Sequence, residues 1–330
     1  MRKDVFNFQS GKYTGYINTA DIVTSAYGNN YLDIEFNSTA TPANITITYG
    51  ELAITLPTAT SLVTPSKKGV FFNLDWLKYY APKHGIAEVS IGVQFDNVSV
   101  RNVSYKLTAG REEIETNPLL FAFNGSELIA NSLAIIGATQ FTPHWNVCEI
   151  LRKREDVLAI YTGLGYNEIE AEIGITEISQ NYGNDLNVYL VDNASQNLIG
   201  TLTSKIQHND CHDIEIRITN RHGLRGVIGG KLIDVSEGGD NVKTKFTTLT
   251  QYNGIHNHQK IGQKIQKEVF FDCGGDFGLL ELLRDACVYG VAEWYDEVTG
   301  KWLPCEVSDN SLDTTDAYKE QSITFILQEL

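Results

Sequence analysis

Residues 219–231, TNRHGLRGVIGGK, hold four glycines and end on a lysine after a strand-like run. A phosphate loop needs a glycine, four further residues and then Gly-Lys-Ser/Thr, so that backbone N–H groups and the lysine converge on phosphate oxygens. Gly230 and Lys231 supply the pair, but Arg225 stands at the upstream glycine position and Leu232 at the hydroxyl position. Gly223, Gly226 and Gly229 recur every third residue, which is not the dinucleotide pattern G-x-G-x-x-G. The stretch therefore reads as a turn between β elements. Asp276-Phe277-Gly278 reproduces the magnesium-holding tripeptide of protein kinases without the catalytic and glycine-rich motifs that must accompany it. His208, Cys211 and His212, and then His256 and His258, are metal-ligand types, but no paired C-x-x-C completes a zinc set. They read as surface or turn histidines. The 41 acidic residues allow carboxylate pairs to be drawn anywhere, so glycosidase chemistry gains no support from them. EWYDEVTGKWLP, residues 293–304, is more specific: Trp294, Tyr295 and Trp302 flank a turn. They could form a sugar platform or pack across a hairpin.

The elements that must carry these residues alternate with period two. YLDIEF places Leu32, Ile34 and Phe36 on one face, and NITITYGELAITL does the same with Ile45, Ile47 and Tyr49, then Leu52, Ile54 and Leu56. HDIEIRITN alternates Ile214, Ile216 and Ile218 with Asp213, Glu215 and Arg217, predicting a strand with one dry face and one wet face. Helical pattern is confined to NLDWLKYYAPKHG and to the leucine-rich stripe over 279–286. The expected fold is all-β, with two to three antiparallel β-sandwich-like domains and one or two short helices. Composition shifts place the domains at 1–112, 113–222 and 223–330.

The chain has 330 residues, 42% hydrophobic and 20% charged, with a net charge of −15. Nucleic-acid affinity comes mostly from Lys and Arg on phosphates, so this balance argues against such a partner. No run is apolar enough for a signal peptide or a membrane span, and five cysteines, an odd number scattered along the chain, suggest reduced thiols. No nucleophile, base, metal or cofactor constellation emerges, and a non-enzymatic protein without cofactor is expected.

The second half carries a resemblance. NPLLFAF at 117–123, ITNRHG at 218–223, LLELLRDACVYG, GKWLPCEVSDNSLDTTD and the final SITFILQEL follow one another in an order that resembles virion structural proteins of phages infecting Bacteroidetes. The resemblance spans about residues 115–330. It implies a tail or baseplate component, similar to distal tail proteins, assembled in the host cytoplasm. Its partners would be copies of itself in a ring and other tail proteins, with no nucleic acid or membrane. Two other readings remain open: a glycan-binding adhesin using Trp294, Tyr295 and Trp302, which needs them exposed side by side, and a tail-associated glycan hydrolase, which needs carboxylates converging in a cleft.

Overall fold

A computed structural model describes residues 2–19, 23–60, 67–111, 140–162, 168–179, 186–204, 212–250, 254–308 and 320–328, with short pieces at 121–124, 127–130, 134–136, 207–208, 312 and 318. Strands dominate, as the alternation predicts, and the apolar residues gather into three main cores.

The first core lies between two five-stranded sheets. One runs in the order Arg2–Phe8, Tyr13–Thr19, Tyr31–Phe36, Lys68–Asn73 and Ala59–Thr60; the other runs Val23–Ser25, Val98–Thr108, Ile86–Phe95, Asn44–Tyr49 and Leu52–Pro57. Ile17, Leu32 and Ile34 from the first meet Ile45, Ile91 and Phe95 from the second, all at most 1% exposed. The NLDWLKYY segment forms only a 3-10 helix, Asp75–Tyr80. Leu74 at its start has no capping side chain, and Pro82 follows closely, so an α-helix is neither capped nor extended there.

The second core joins Cys148, Ile150 and Ile178 to Val157, Ala159, Leu186, Val188 and Leu190. These come from a five-stranded sheet, ending on Val147–Arg152 and Gly174–Ser179, and a four-stranded sheet ordered Glu168–Glu170, Val157–Thr162, Leu186–Asp192 and Leu198–Ser204.

The third core fills a closed barrel in the order Ile214–Thr219, Arg225–Thr250, Gly254–Phe271, Gln321–Gln328, Lys301–Val307 and Ala292–Asp296. Alternation within strands is common to barrels and sandwiches; closure depends on which strands pair, which the alternation does not carry. Helix α1, Phe277–Tyr289, packs Leu279, Leu280, Leu282, Leu283 and Ala286 onto this core. Asp276 caps it, its carboxylate accepting from the Gly278 N–H at 2.8 Å, and Gly290 ends it at φ +67°. The kinase-like tripeptide is thus a helix start.

The units are joined through buried contacts. Val23, Leu151 and Leu224, one from each, form a small apolar cluster. Gly110 and Gly223 approach so closely that a Cβ on Gly223 would lie 2.5 Å from the Gly110 nitrogen. The Arg111 N–H donates to the Arg221 carbonyl at 2.7 Å.

Candidate assembly interface

The glycine-rich stretch is a β-turn connection. Ile214–Thr219 and the start of Arg225–Thr250 pair antiparallel, with Thr219 opposite Arg225 and Ile216 opposite Ile228. The Asn220 side chain accepts from the His222 and Leu224 N–H groups, both at 3.0 Å, and Gly223 takes φ +87°. Gly230 packs where a Cβ would meet Val269 at 2.4 Å. These glycines serve close packing rather than phosphate binding.

Arg225 then turns back onto the second unit. Its backbone N–H donates to Glu149 Oε2 at 2.6 Å, its Nε to Oε1 at 3.1 Å, and its Nη2 to Glu177 at 2.9 Å. His84 Nε2 from the first unit lies 3.0 Å from the same Glu149, which is fully buried. His84, Glu149 and Glu177 present ligand atoms within 4.8 Å of one another, a spacing that suits a cation. The Arg225 guanidinium already supplies that positive charge, so the cluster is a three-unit ion-pair junction.

Glu215 departs from the alternation. The pattern puts it on the wet face, yet it is 4% exposed. The segment around 140–145 covers that side of the barrel: Thr142 Oγ1 donates to Glu215 Oε2 at 2.8 Å, and His144 and His212 meet Oε1 at 2.9 and 3.1 Å. A cavity of about 220 Å³ beside it is also lined by Lys267, Tyr295, Asp296 and Glu297. Burial lowers the Lys267 pKa, against the pull of nearby Asp296. Asp213 lines the cavity with Glu215, Asp296 and Glu297, and the bonds of Glu215 to Thr142, His144 and His212 tie the second unit to the third.

The three aromatic residues of the EWYDEVTGKWLP hairpin do not share a face. Trp294 points into the barrel core at 2% exposure, opposite Leu303. Tyr295 and Trp302 are cross-strand partners on the outer side, with ring centroids 5.3 Å apart. Each is already packed: Tyr295 stacks on His144 at 4.0 Å, while Trp302 lies 6.1 Å from Trp145 and 4.5 Å from the Arg217 guanidinium. The pleat therefore divides the trio that a sugar platform would need side by side.

Of the histidines weighed as ligands, His212 bonds Glu215, and His208 pairs with Phe141 in a two-stranded parallel sheet. His256 and His258 pair opposite Thr248 and Phe246 on the barrel's long hairpin. Cys211 lies outside the described residues, as do Asp309, Asn310 and Ser311 of the SDNS turn.

The barrel's long hairpin, Arg225–Thr250 with Gly254–Phe271, extends past its neighbouring strands. Ile214–Thr219 accompanies its first strand only as far as Gly230, and Gln321–Gln328 accompanies its second only from Lys264. Beyond these points Val242–Thr250 and Gly254–Gly262 pair with each other alone, Val242 opposite Gly262 and Thr250 opposite Gly254. Nine residues per strand at about 3.4 Å each give a ribbon of roughly 30 Å. Among the described residues no third strand joins either edge. Five lysines without an acidic residue across 241–267 are the sequence signal that marks it. No protein-family model matches the chain, and a search of the curated proteins finds no match. Among the described residues, no helix is long and apolar enough to cross a membrane.

Proposed function

We propose that this chain is a non-enzymatic structural protein of a phage tail or baseplate, forming a symmetric ring or hub from copies of itself and joining the tail tube to neighbouring tail components. The observation that carries the assembly reading is the isolated ribbon. A two-stranded hairpin is marginal in water on its own, and its free N–H and C=O edges are a template for pairing with another chain. A chain that extends such an element well beyond its own barrel presents it to a neighbour. The phage assignment rests on the order of motifs in residues 115–330, which resembles tail and baseplate proteins. The packing of Tyr295 and Trp302 against His144, Trp145 and Arg217 supports a structural role for those aromatics over a glycan platform.

The test is the mass of the full chain in solution by light scattering and native mass spectrometry, alone and co-expressed with its genomic neighbours. A closed oligomer is expected. Replacing residues 239–263 with Asn-Gly, which joins the paired residues Gly238 and Lys264 by a two-residue turn, should leave the barrel folded and the protein monomeric. A wild-type chain that stays monomeric in both conditions overturns the assembly reading.

A further inference from the structure

Resting on that assembly reading, we propose that the ribbon docks on the Glu168–Glu170 edge strand of a second copy of this chain, extending its four-stranded sheet by β-augmentation. Two independent features point there. The first is charge segregation. The free ribbon, 242–262, contains Lys243, Lys245 and Lys260 and no Asp or Glu, so it carries +3 in a chain of −15 and the remainder carries −18. The second is the distribution of sheet edges. Among the described residues, the sheet edges are Arg2–Phe8, Ala59–Thr60, Val23–Ser25, Leu52–Pro57, Phe121–Asn124, Gly174–Ser179, Glu168–Glu170, Leu198–Ser204 and the two strands of the small parallel sheet.

Most of these edges hold no acidic residue. Arg2–Phe8 is basic at its start, and its Asp4 pairs with Arg2 and Arg101. Gly174–Ser179 offers Glu177, which Arg225 already holds. Glu168–Glu170 is the acidic edge among them: all three of its residues are exposed, including Ile169 at 43%. Glu172 continues the spacing of every second residue, and Glu170 is paired with Arg152, leaving Glu168 and Glu172 as the outward charges. Lys243 and Lys245 are two positions apart in the sequence, the same spacing as the glutamates of the edge. Opposite charges facing across a strand pair stabilise the pair, and like charges destabilise it.

The same charges dictate the geometry of assembly. Two acidic edges repel, and two basic ribbons repel, so an isologous two-fold contact of edge with edge or ribbon with ribbon is disfavoured. A ribbon-to-edge contact is heterologous. Repeated by rotation it closes into a ring.

Charge exchange tests the contact in the full chain, with circular dichroism to confirm folding. Glu168→Lys with Glu172→Lys, or Lys243→Glu with Lys245→Glu, should each weaken self-association about thirtyfold, from the change of two attractive pairs into repulsive ones. Combining both pairs in one chain should restore it, which general loss of fold cannot do. The milder Glu168→Gln with Glu172→Gln should give an intermediate loss and a shallower salt dependence. If both reversals assemble like the wild type while removal of 239–263 abolishes assembly, the ribbon docks elsewhere and this inference falls, leaving the assembly reading intact. If oligomers form only with a co-expressed neighbour bound to the ribbon, the occupant is that protein and the second-copy assignment is overturned. A wild-type monomer under all conditions removes both readings.

Discussion

The Glu149 junction gives the sharpest energetic test, because one guanidinium holds two carboxylates in different surroundings. Glu149 is fully buried and accepts from Arg225 N, Arg225 Nε and His84 Nε2 at 2.6, 3.1 and 3.0 Å. Glu177, 2.9 Å from Arg225 Nη2, has a side chain 55% exposed. Breaking a buried pair by removing one partner costs about 3–5 kcal/mol, because a charge and its donors are left without water or partner. An exposed pair contributes about 0–1 kcal/mol. Glu149→Ala should therefore destabilise the chain by about 3–5 kcal/mol and Glu177→Ala by less than about 1 kcal/mol. Urea denaturation followed by tryptophan fluorescence reads this directly, since Trp145 lies 5.3 Å from the Arg225 guanidinium. In the background of Arg225→Met, the penalty for Glu149→Ala should shrink by at least half, because the charge it strands is gone. Equal effects of the two carboxylate variants, or a Glu149→Ala penalty below about 1 kcal/mol, would refute the assignment of Glu149 as the junction's buried anion.

Other perturbations follow from single contacts. Gly223→Ala puts a Cβ 2.5 Å from the Gly110 nitrogen at a φ of +87°, so a loss of about 2 kcal/mol or more is expected in thermal unfolding. Asp276→Ala removes the cap on helix α1 and should cost about 1 kcal/mol, with Asp276→Asn or Asp276→Ser recovering most of it. Burial pushes the thiols of Cys148, Cys273 and Cys305 up to about 12, above the ordinary value of 9.0, so the folded chain keeps protons that the unfolded chain releases. Their contribution should therefore fall as pH rises from 9 toward 12, by up to about 1.4 kcal/mol per thiol per pH unit, and Cys148→Ala should flatten the decline measured by urea denaturation.

How much of this the sequence discloses depends on the range of the interaction that decides it. Ile214, Ile216 and Ile218 announce their strand because a pleat repeats every two residues, and Leu279 to Ala286 announce their helix because it buries one stripe. The hairpin of Tyr295 and Trp302 is equally local. Glu215 and Glu149 are not. Each sits in a strand where alternation assigns one face to solvent, and each is buried because a segment about 70 residues away covers that face. The pairing of Glu149 with Arg225 spans 76 positions and leaves no periodic trace. The ribbon falls between these cases. Its strands alternate weakly and have no apolar face to declare, but its lysine content in an acidic chain is a plain compositional signal, hidden when charge is summed over the whole sequence.

The junction and the proposed docking contact are linked by geometry. The ribbon grows from the barrel, whereas the acidic edge belongs to the second unit. A heterologous contact closes a ring only when the rotation between the two surfaces of one subunit is the same in every copy; a hinge between them yields open chains and rings of mixed size. Arg225 with Glu149, the Gly110–Gly223 approach and the Val23–Leu151–Leu224 cluster fix that relation. Glu149→Gln keeps the side-chain shape, the ribbon and the edge, and removes the charge that holds the barrel to the second unit. It should leave the affinity of the docking contact within about threefold of wild type, since neither docking surface is altered, but spread the single oligomeric mass into a distribution visible by native mass spectrometry. A single wild-type mass in Glu149→Gln would show that ring closure does not depend on this junction, and would place the restraint in the apolar cluster and the glycine contact instead.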